Sequence, residues 1–155
     1  MIYAHNDWGL ALHYLDQYDE AVSQYSKAIV DTNPKRYKAY TNWGWTLYVQ
    51  GQYEEAAFKY NMAINLNPEY GIAHLYHGLV VYHQEEDISN AMPFFDKAIE
   101  LLRGDVTVKD RILKVYNREM TQTQRQLARE QDQKRREAIK YKFDGLKMVL
   151  NQVKN

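Results

Sequence analysis

The sequence predicts an all-helical protein in which three helix hairpins are followed by a long C-terminal helix. Three observations carry this. A pattern of about 34 residues recurs three times within residues 1–104. Inside each copy the apolar residues step by three and four, the period of one helix face. The 155 residues include only 3 prolines, none beyond Pro93, and proline is the residue that interrupts a helical ladder.

The first copy contains Trp8-Gly9, Leu12, Gln17-Tyr18-Asp19-Glu20-Ala21, Tyr25, Ala28-Ile29 and Pro34. The second contains Trp43-Gly44, Leu47, Gly51-Gln52-Tyr53-Glu54-Glu55-Ala56, Tyr60, Ala63-Ile64 and Pro68. The third contains His77-Gly78, Val81, Ile88, Ala91, Phe95 and Ala98-Ile99. Ala21, Ala56 and Ala91 are 35 residues apart, and Gly44 and Gly78 are 34 apart. Tyr40, Trp43-Gly44 and Leu47 form one helical stripe. Ala56, Tyr60 and Ala63-Ile64 form a second after a turn near Gly51. Small residues at matching places let two helix backbones approach, and Tyr or Phe fills the space beside them. Asn67-Pro68 ends the second helix, because the residue before proline avoids the helical region. A single hairpin cannot bury both its apolar faces, so neighbours stack, and about three units are the usual minimum.

On these residues the chain resembles the tetratricopeptide repeat family. The match runs through Trp8, Gly9, Tyr18, Ala21, Tyr25, Ala28, Pro34 and their counterparts Trp43, Gly44, Tyr53, Ala56, Tyr60, Ala63, Pro68, over residues 2 to about 103. It implies a right-handed α-solenoid with repeats at approximately 2–35, 37–70 and 71–104. The third repeat departs from the pattern. His77 replaces a large apolar residue, Arg103 stands where the terminal proline would be, and Pro93 falls inside the second helix, which it is expected to delay or kink.

Residues 105–155 are expected to cap and extend the array. Thr107-x-x-Asp110 resembles a capping box. Val108, Ile112, Leu113, Val115, Tyr116 and Met120 make an amphipathic start, residues 121–137 are almost wholly polar, and 138–153 turn apolar again. One continuous helix of about 45 residues would reach roughly 70 Å. Its far end, through Ile139, Phe143, Leu146 and Leu150, would then offer a stripe for homodimerisation. A helix that breaks near 121–125 and folds back is the alternative.

Composition narrows the chemistry. Hydrophobic residues make up 45% and charged residues 26%, as in ordinary globular domains. There is no cysteine, which removes disulfides, thiolate metal sites and a thiol nucleophile together. The start has no basic and apolar leader, so a cytoplasmic location is expected. The first repeat begins almost at once, as it would in an excised piece of a longer protein, so upstream repeats or a targeting segment stay open. His74 and His77 are three apart. Their register puts them at packing positions, so satisfied, semi-buried histidines are expected rather than metal ligands. The pairs Asp19-Glu20, Glu54-Glu55 and Glu85-Glu86 recur at each turn and suit helix N-termini, not catalysis. No phosphate loop, zinc-protease or nucleophile-elbow motif is present. The expectation is a non-enzymatic interaction protein with no cofactor and no metal.

In the family, the first helices of the units line a concave face that usually holds an extended peptide or a helix. Carried over by position, the lining here would be Tyr3, Asn6, Leu10, His13 and Tyr14, then Lys38, Thr41, Asn42, Trp45, Tyr48 and Val49, then Ile72, Leu75, Leu79, Tyr82 and His83. Trp45 stands two residues from Trp43, so it points to a different helix face. His13 and His83 make pH sensitivity near 6.5 conceivable. Some relatives clamp a chaperone's terminal carboxylate with Lys, Asn and Arg. The corresponding places hold Asn6, Leu10, Asn42, Ile72 and Tyr76, so an apolar or aromatic ligand segment fits better. The expected partner is a protein or peptide.

The charge is segregated. Residues 1–104 hold 7 basic and 13 acidic side chains, a net of −6, and residues 105–155 hold 13 and 7, a net of +6. Lys134-Arg135-Arg136, Lys140 and Lys142 raise contact with nucleic acid or an anionic membrane. Interspersed Glu130, Asp132 and Glu137 favour a self-paired, solvated face instead. Such segregation favours tail-to-array attraction, within one chain or between two, weakening with salt.

Overall fold

Glycine and alanine sit where helices must touch, and aromatics fill the space beside them. In the computed structural model this produces a stack of helix pairs. It describes residues 2–30, 32–85, 87–130 and 132–154, with residues 2 and 3 defined by backbone alone. Among them are eight helices and no strand: α1 (Ile2–Tyr14), α2 (Tyr18–Ala28), α3 (Arg36–Val49), α4 (Tyr53–Leu66), α5 (Gly71–Glu85), α6 (Ile88–Leu101), α7 (Val106–Arg129) and α8 (Gln133–Lys154). They form two compact units, Met1–Leu102 and Arg103–Asn155.

The first unit is a solenoid of three hairpins: α1 with α2, α3 with α4, and α5 with α6. Each hairpin also touches the next, and the first helices α1, α3 and α5 touch in sequence. The repeated small–large pairing closes each one. A Cβ added to Gly9 would meet the Tyr25 ring at 2.6 Å, one at Gly44 the Tyr60 ring at 2.8 Å, and one at Gly78 the Phe95 ring at 2.7 Å. Tyr25, Tyr60, Phe95 and the alanines Ala21, Ala28, Ala56, Ala63, Ala91 and Ala98 are fully buried.

Gly44→Ala is therefore expected to destabilise the fold although alanine is the better helix former. The helix gains about 1 kcal/mol, but the Tyr60 ring is enclosed and cannot retreat, and overpacking costs about 1–3 kcal/mol. A net loss of up to about 2 kcal/mol should appear in urea unfolding; a raised midpoint would show that the ring can move aside.

The ends of the helices show what single residues decide. Asn67 is the C-cap of α4, directly before Pro68. Buried Asn33 donates from Nδ2 to the Ala28 carbonyl and accepts at Oδ1 from the Lys35 amide, tying off α2. Asp19-Glu20 and Glu54-Glu55 occupy the first turns of α2 and α4, as the dipole favours. The third unit differs: Glu85 ends α5, Glu86 lies outside the described residues, and Asp87 caps α6 by accepting from the Ser89 amide at 2.9 Å. Pro93 does not delay α6, which runs from Ile88 through it to Leu101. The ring is exposed, so the Ser89 carbonyl that loses its partner can turn to water. Trp8 does not join the packing stripe. It is 56% exposed and stacks on His5.

The tail is two helices, not one. α7 ends at Arg129, with Glu130 in extended conformation, and α8 packs back on α7. The break falls after Arg129, later than 121–125. Asp132 accepts from the Arg135 amide at 2.9 Å and so caps α8. Arg136 donates to the Glu130 carbonyl at 3.0 Å, covering the end of α7. At the other end Asp105, rather than Thr107, caps α7 by accepting from the Thr107 and Val108 amides. Val108, Ile112, Val115, Tyr116, Leu146, Leu150 and Val153 are buried. So are two polar residues of α7, Glu119 and Thr123. Glu119 accepts from Lys142 of α8 at 3.3 Å, with only 3% of its own side chain exposed.

Candidate functional site, an aromatic face on the first helices

Three helices bring one side chain after another to a shared face. α3 supplies Trp45 and, one turn on, Tyr48. The Trp45 ring lies 5.3 Å from Tyr48, 4.7 Å from Tyr76 of α5 and 6.3 Å from His13 of α1. Tyr48 reaches His83 of α5 at 5.6 Å and Tyr53 of α4 at 5.6 Å, and His83 stacks on Tyr53 at 5.9 Å. Every repeat therefore contributes at least one ring to the cluster around Trp45. Each such pair is worth about 0.5–1.5 kcal/mol beyond its buried area, so the rings hold one another in place. Trp45, Tyr48, Tyr76 and His83 are each half-buried.

His13 links the first two repeats. Thr46 donates its hydroxyl to the Asn42 carbonyl at 3.0 Å, so its oxygen is left to accept from His13 Nδ1–H at 2.8 Å. Burial holds the His13 pKa below its ordinary value, with nearby Asp16 pulling the other way. At neutral pH the ring is an uncharged donor and the third ring against Trp45.

The positions carried over from the family divide into three groups. Asn6, Leu10, Lys38, Asn42, Trp45, Tyr48, Ile72, Leu79 and His83 are half-buried, and Tyr14 is 75% exposed. Val49 is exposed as well. Thr41, Leu75, Tyr82 and His13 are buried, at 1%, 2%, 5% and 6% exposure. Thr41 turns its hydroxyl back to the Tyr37 carbonyl, the usual recourse of threonine inside a helix. The Tyr3 side chain lies outside the described residues. Tyr48, and with it Tyr53 and Tyr76, also packs on the core of Leu47, Ala56, Tyr60 and Val80. The aromatic face and the packing stripe thus share residues that spacing alone had kept apart. Tyr53 and Tyr76 complete the cluster, Tyr76 from a position the family uses as a clamp and Tyr53 from the start of α4.

One end of the face is polar. Asn6, Asp7, Asn33, Lys35 and Lys38 line a depression of about 190 Å³, below the size of ordinary small-molecule pockets. Asn42 donates to Asn6 Oδ1 at 2.9 Å, so the two amides that could meet a carboxylate are bonded to each other.

The other predicted groups fall elsewhere. His74 donates from Nε2 to the Pro68 carbonyl at 2.8 Å. His77 is buried but not satisfied: its Nδ1 has no hydrogen-bond partner, and its ring faces Phe94 at 4.2 Å. Among the described residues no group of three His, Asp or Glu side chains gathers as a metal would need. No described helix is long and apolar enough to cross a membrane. In the second unit Leu146 and Leu150 are buried and Ile139 and Phe143 half-buried. Of the basic run, Lys142 is engaged by Glu119 and Arg136 by the end of α7.

Stacked helix hairpins with glycine–aromatic closures define an α-solenoid repeat protein. Residues 37–70 match the tetratricopeptide repeat model over one full unit. Over that unit and in its fold the chain is similar to the tetratricopeptide repeat family. The first tetratricopeptide domain of Spaghetti (RPAP3), solved bound to the HSP90 peptide SRMEEVD, is similar with a TM-score of 0.67 and 20% identity, over 75% of this chain and 93% of that one. MamA MSR-1 C2 is similar with a TM-score of 0.55 and 29% identity, over 65% and 57%. A crystal structure of MamA gives 0.63 and 18% identity, over 99% and 80%. No curated protein matches the chain.

Proposed function

We propose that the chain is a non-enzymatic interaction module that holds an apolar or aromatic segment of a protein partner, extended or helical, against the Trp45 face. The carrying observation is the ring cluster to which all three repeats contribute. Half-buried rings fixed by their neighbours lose little freedom on binding, which is what makes aromatic anchors effective. The Spaghetti domain, with the same fold, holds a peptide. Here the clamp positions carry Leu10, Ile72 and Tyr76 in place of cations, and Asn42 already donates to Asn6. An acidic C-terminal tail is accordingly disfavoured, and an apolar or aromatic segment is preferred.

Selection of a displayed peptide library on the intact chain tests this. Enriched sequences should be rich in aromatic and aliphatic residues. Trp45→Ala should weaken their binding by about 2 kcal/mol or more, roughly 30-fold, while Trp45→Phe retains most of it. A Trp45→Ala protein with an unchanged circular-dichroism melt and full affinity would refute the assignment.

A further inference from the structure

The second unit carries a helix face that the groove does not use. On α7, Lys114, Arg118, Arg125 and Arg129 are all exposed. They are spaced four, seven and four residues apart, which puts them on one side of the helix. Arg111 continues the row by one more step of seven. The other residues on that side include Thr121 and Gln122, and no carboxylate interrupts it between Arg111 and Arg129. The buried stripe of α7, from Val108 through Ile112 to Thr123, lies on another side. Seven residues of helix rise about 10 Å, so the exposed Arg118 and Arg125 present positive charge at that interval.

The first unit carries the complement. In stacked hairpins the turns that join each first helix to its second all lie along one edge. Here those turns bear Asp16, Asp19 and Glu20, then Glu54 and Glu55, then Glu85 and Asp87. No Lys or Arg occurs in 14–23, 48–57 or 82–91. Successive first helices are in contact, which sets the turns about 8–10 Å apart. The two periods agree to within about 2 Å, so neighbouring acidic turns register with Arg118 and Arg125.

We propose that the basic row of α7 docks on the acidic turn edge of a second copy of this chain. Each copy offers one surface of each sign, so the contact is head-to-tail and propagates into open chains or closed rings. Sign and period both select this occupant. A nucleic-acid duplex, with one charge per about 1.7 Å, would be left mostly unneutralised by so sparse a row. The contact is independent of the Trp45 face.

Sedimentation velocity on the intact chain tests it. At low salt the mass should grow with concentration above that of the 18.4 kDa monomer. It should return to the monomer at about 0.5 M salt, where the screening length falls well below the 10 Å spacing. Arg118→Glu/Arg125→Glu and Glu54→Lys/Glu55→Lys should each be monomeric, with melts matching the parent because all four residues are exposed. An equimolar mixture of the two variants retains one good acidic edge and one good basic row. The reversed charges also face each other with opposite sign, so the mixture should associate again where each variant alone does not. A chain that stays monomeric at low salt, or association that survives either charge reversal, overturns the proposal. So does binding of a DNA duplex or a phosphatidylserine vesicle that needs Arg118 and Arg125 while the chain itself remains monomeric.

Discussion

Tyr60→Ala is expected to cost about 3–5 kcal/mol, the range for deleting a buried aromatic, and Tyr60→Phe almost nothing. The ring is fully buried between Gly44 and the Tyr76 and His77 rings, so its removal leaves a cavity at the junction of the second and third repeats. Its hydroxyl is buried without a hydrogen-bond partner, and burial drives its pKa upward. A desolvated, unpartnered hydroxyl is a liability of about 1–3 kcal/mol. Phenylalanine removes the liability and keeps the ring, so its midpoint in urea should equal or exceed the parent's. A clear loss in Tyr60→Phe would mean that the hydroxyl has a partner in solution.

The second large effect is a loss of stability in acid centred on His77. Burial, with His74 nearby, lowers its pKa to about 4. The unfolded chain titrates near 6.5 and so binds the proton more readily than the folded one between those values. The native state is then fully stable above pH 6.5. It loses stability as pH falls toward 4, by up to about 3 kcal/mol in all if the full shift is realised. The unpartnered Nδ1 and the apolar contact with Phe94 leave nothing to welcome a charge. His77→Leu should flatten the decline of urea stability between pH 7 and 4 while leaving the value at pH 7 close to the parent's. An equally steep decline in the variant would move the acid sensitivity to other groups, the buried His13 foremost.

The repeated helix pairs were legible because the pattern is redundant. Gly9, Gly44 and Gly78 each face an aromatic sixteen or seventeen residues later, so one misread residue changes nothing. The tail offered no such redundancy. Residues 121–137 are good helix formers, and a break there is decided by Glu130 turning extended and Asp132 capping α8. Either residue sits equally well inside a helix, so spacing could not choose. Glu119 and Thr123 look solvated in the sequence and are buried, because Lys142 comes from a helix that only the fold-back brings near. On the candidate face Trp45 stood out as the second tryptophan in three residues. That Tyr53 joins it depends on how α4 folds back on α3, and that Tyr76 joins it on how the second and third hairpins stack, neither of which local spacing encodes.

The three tryptophans occupy three different surroundings. Trp8 is largely open to solvent, Trp43 lies under the Lys59 ammonium at 3.6 Å, and Trp45 is enclosed by rings. Iodide can reach the first indole far more readily than the third. The chain thereby carries an intrinsic optical reporter at the proposed ligand face, with an open tryptophan outside the ring cluster as an internal reference.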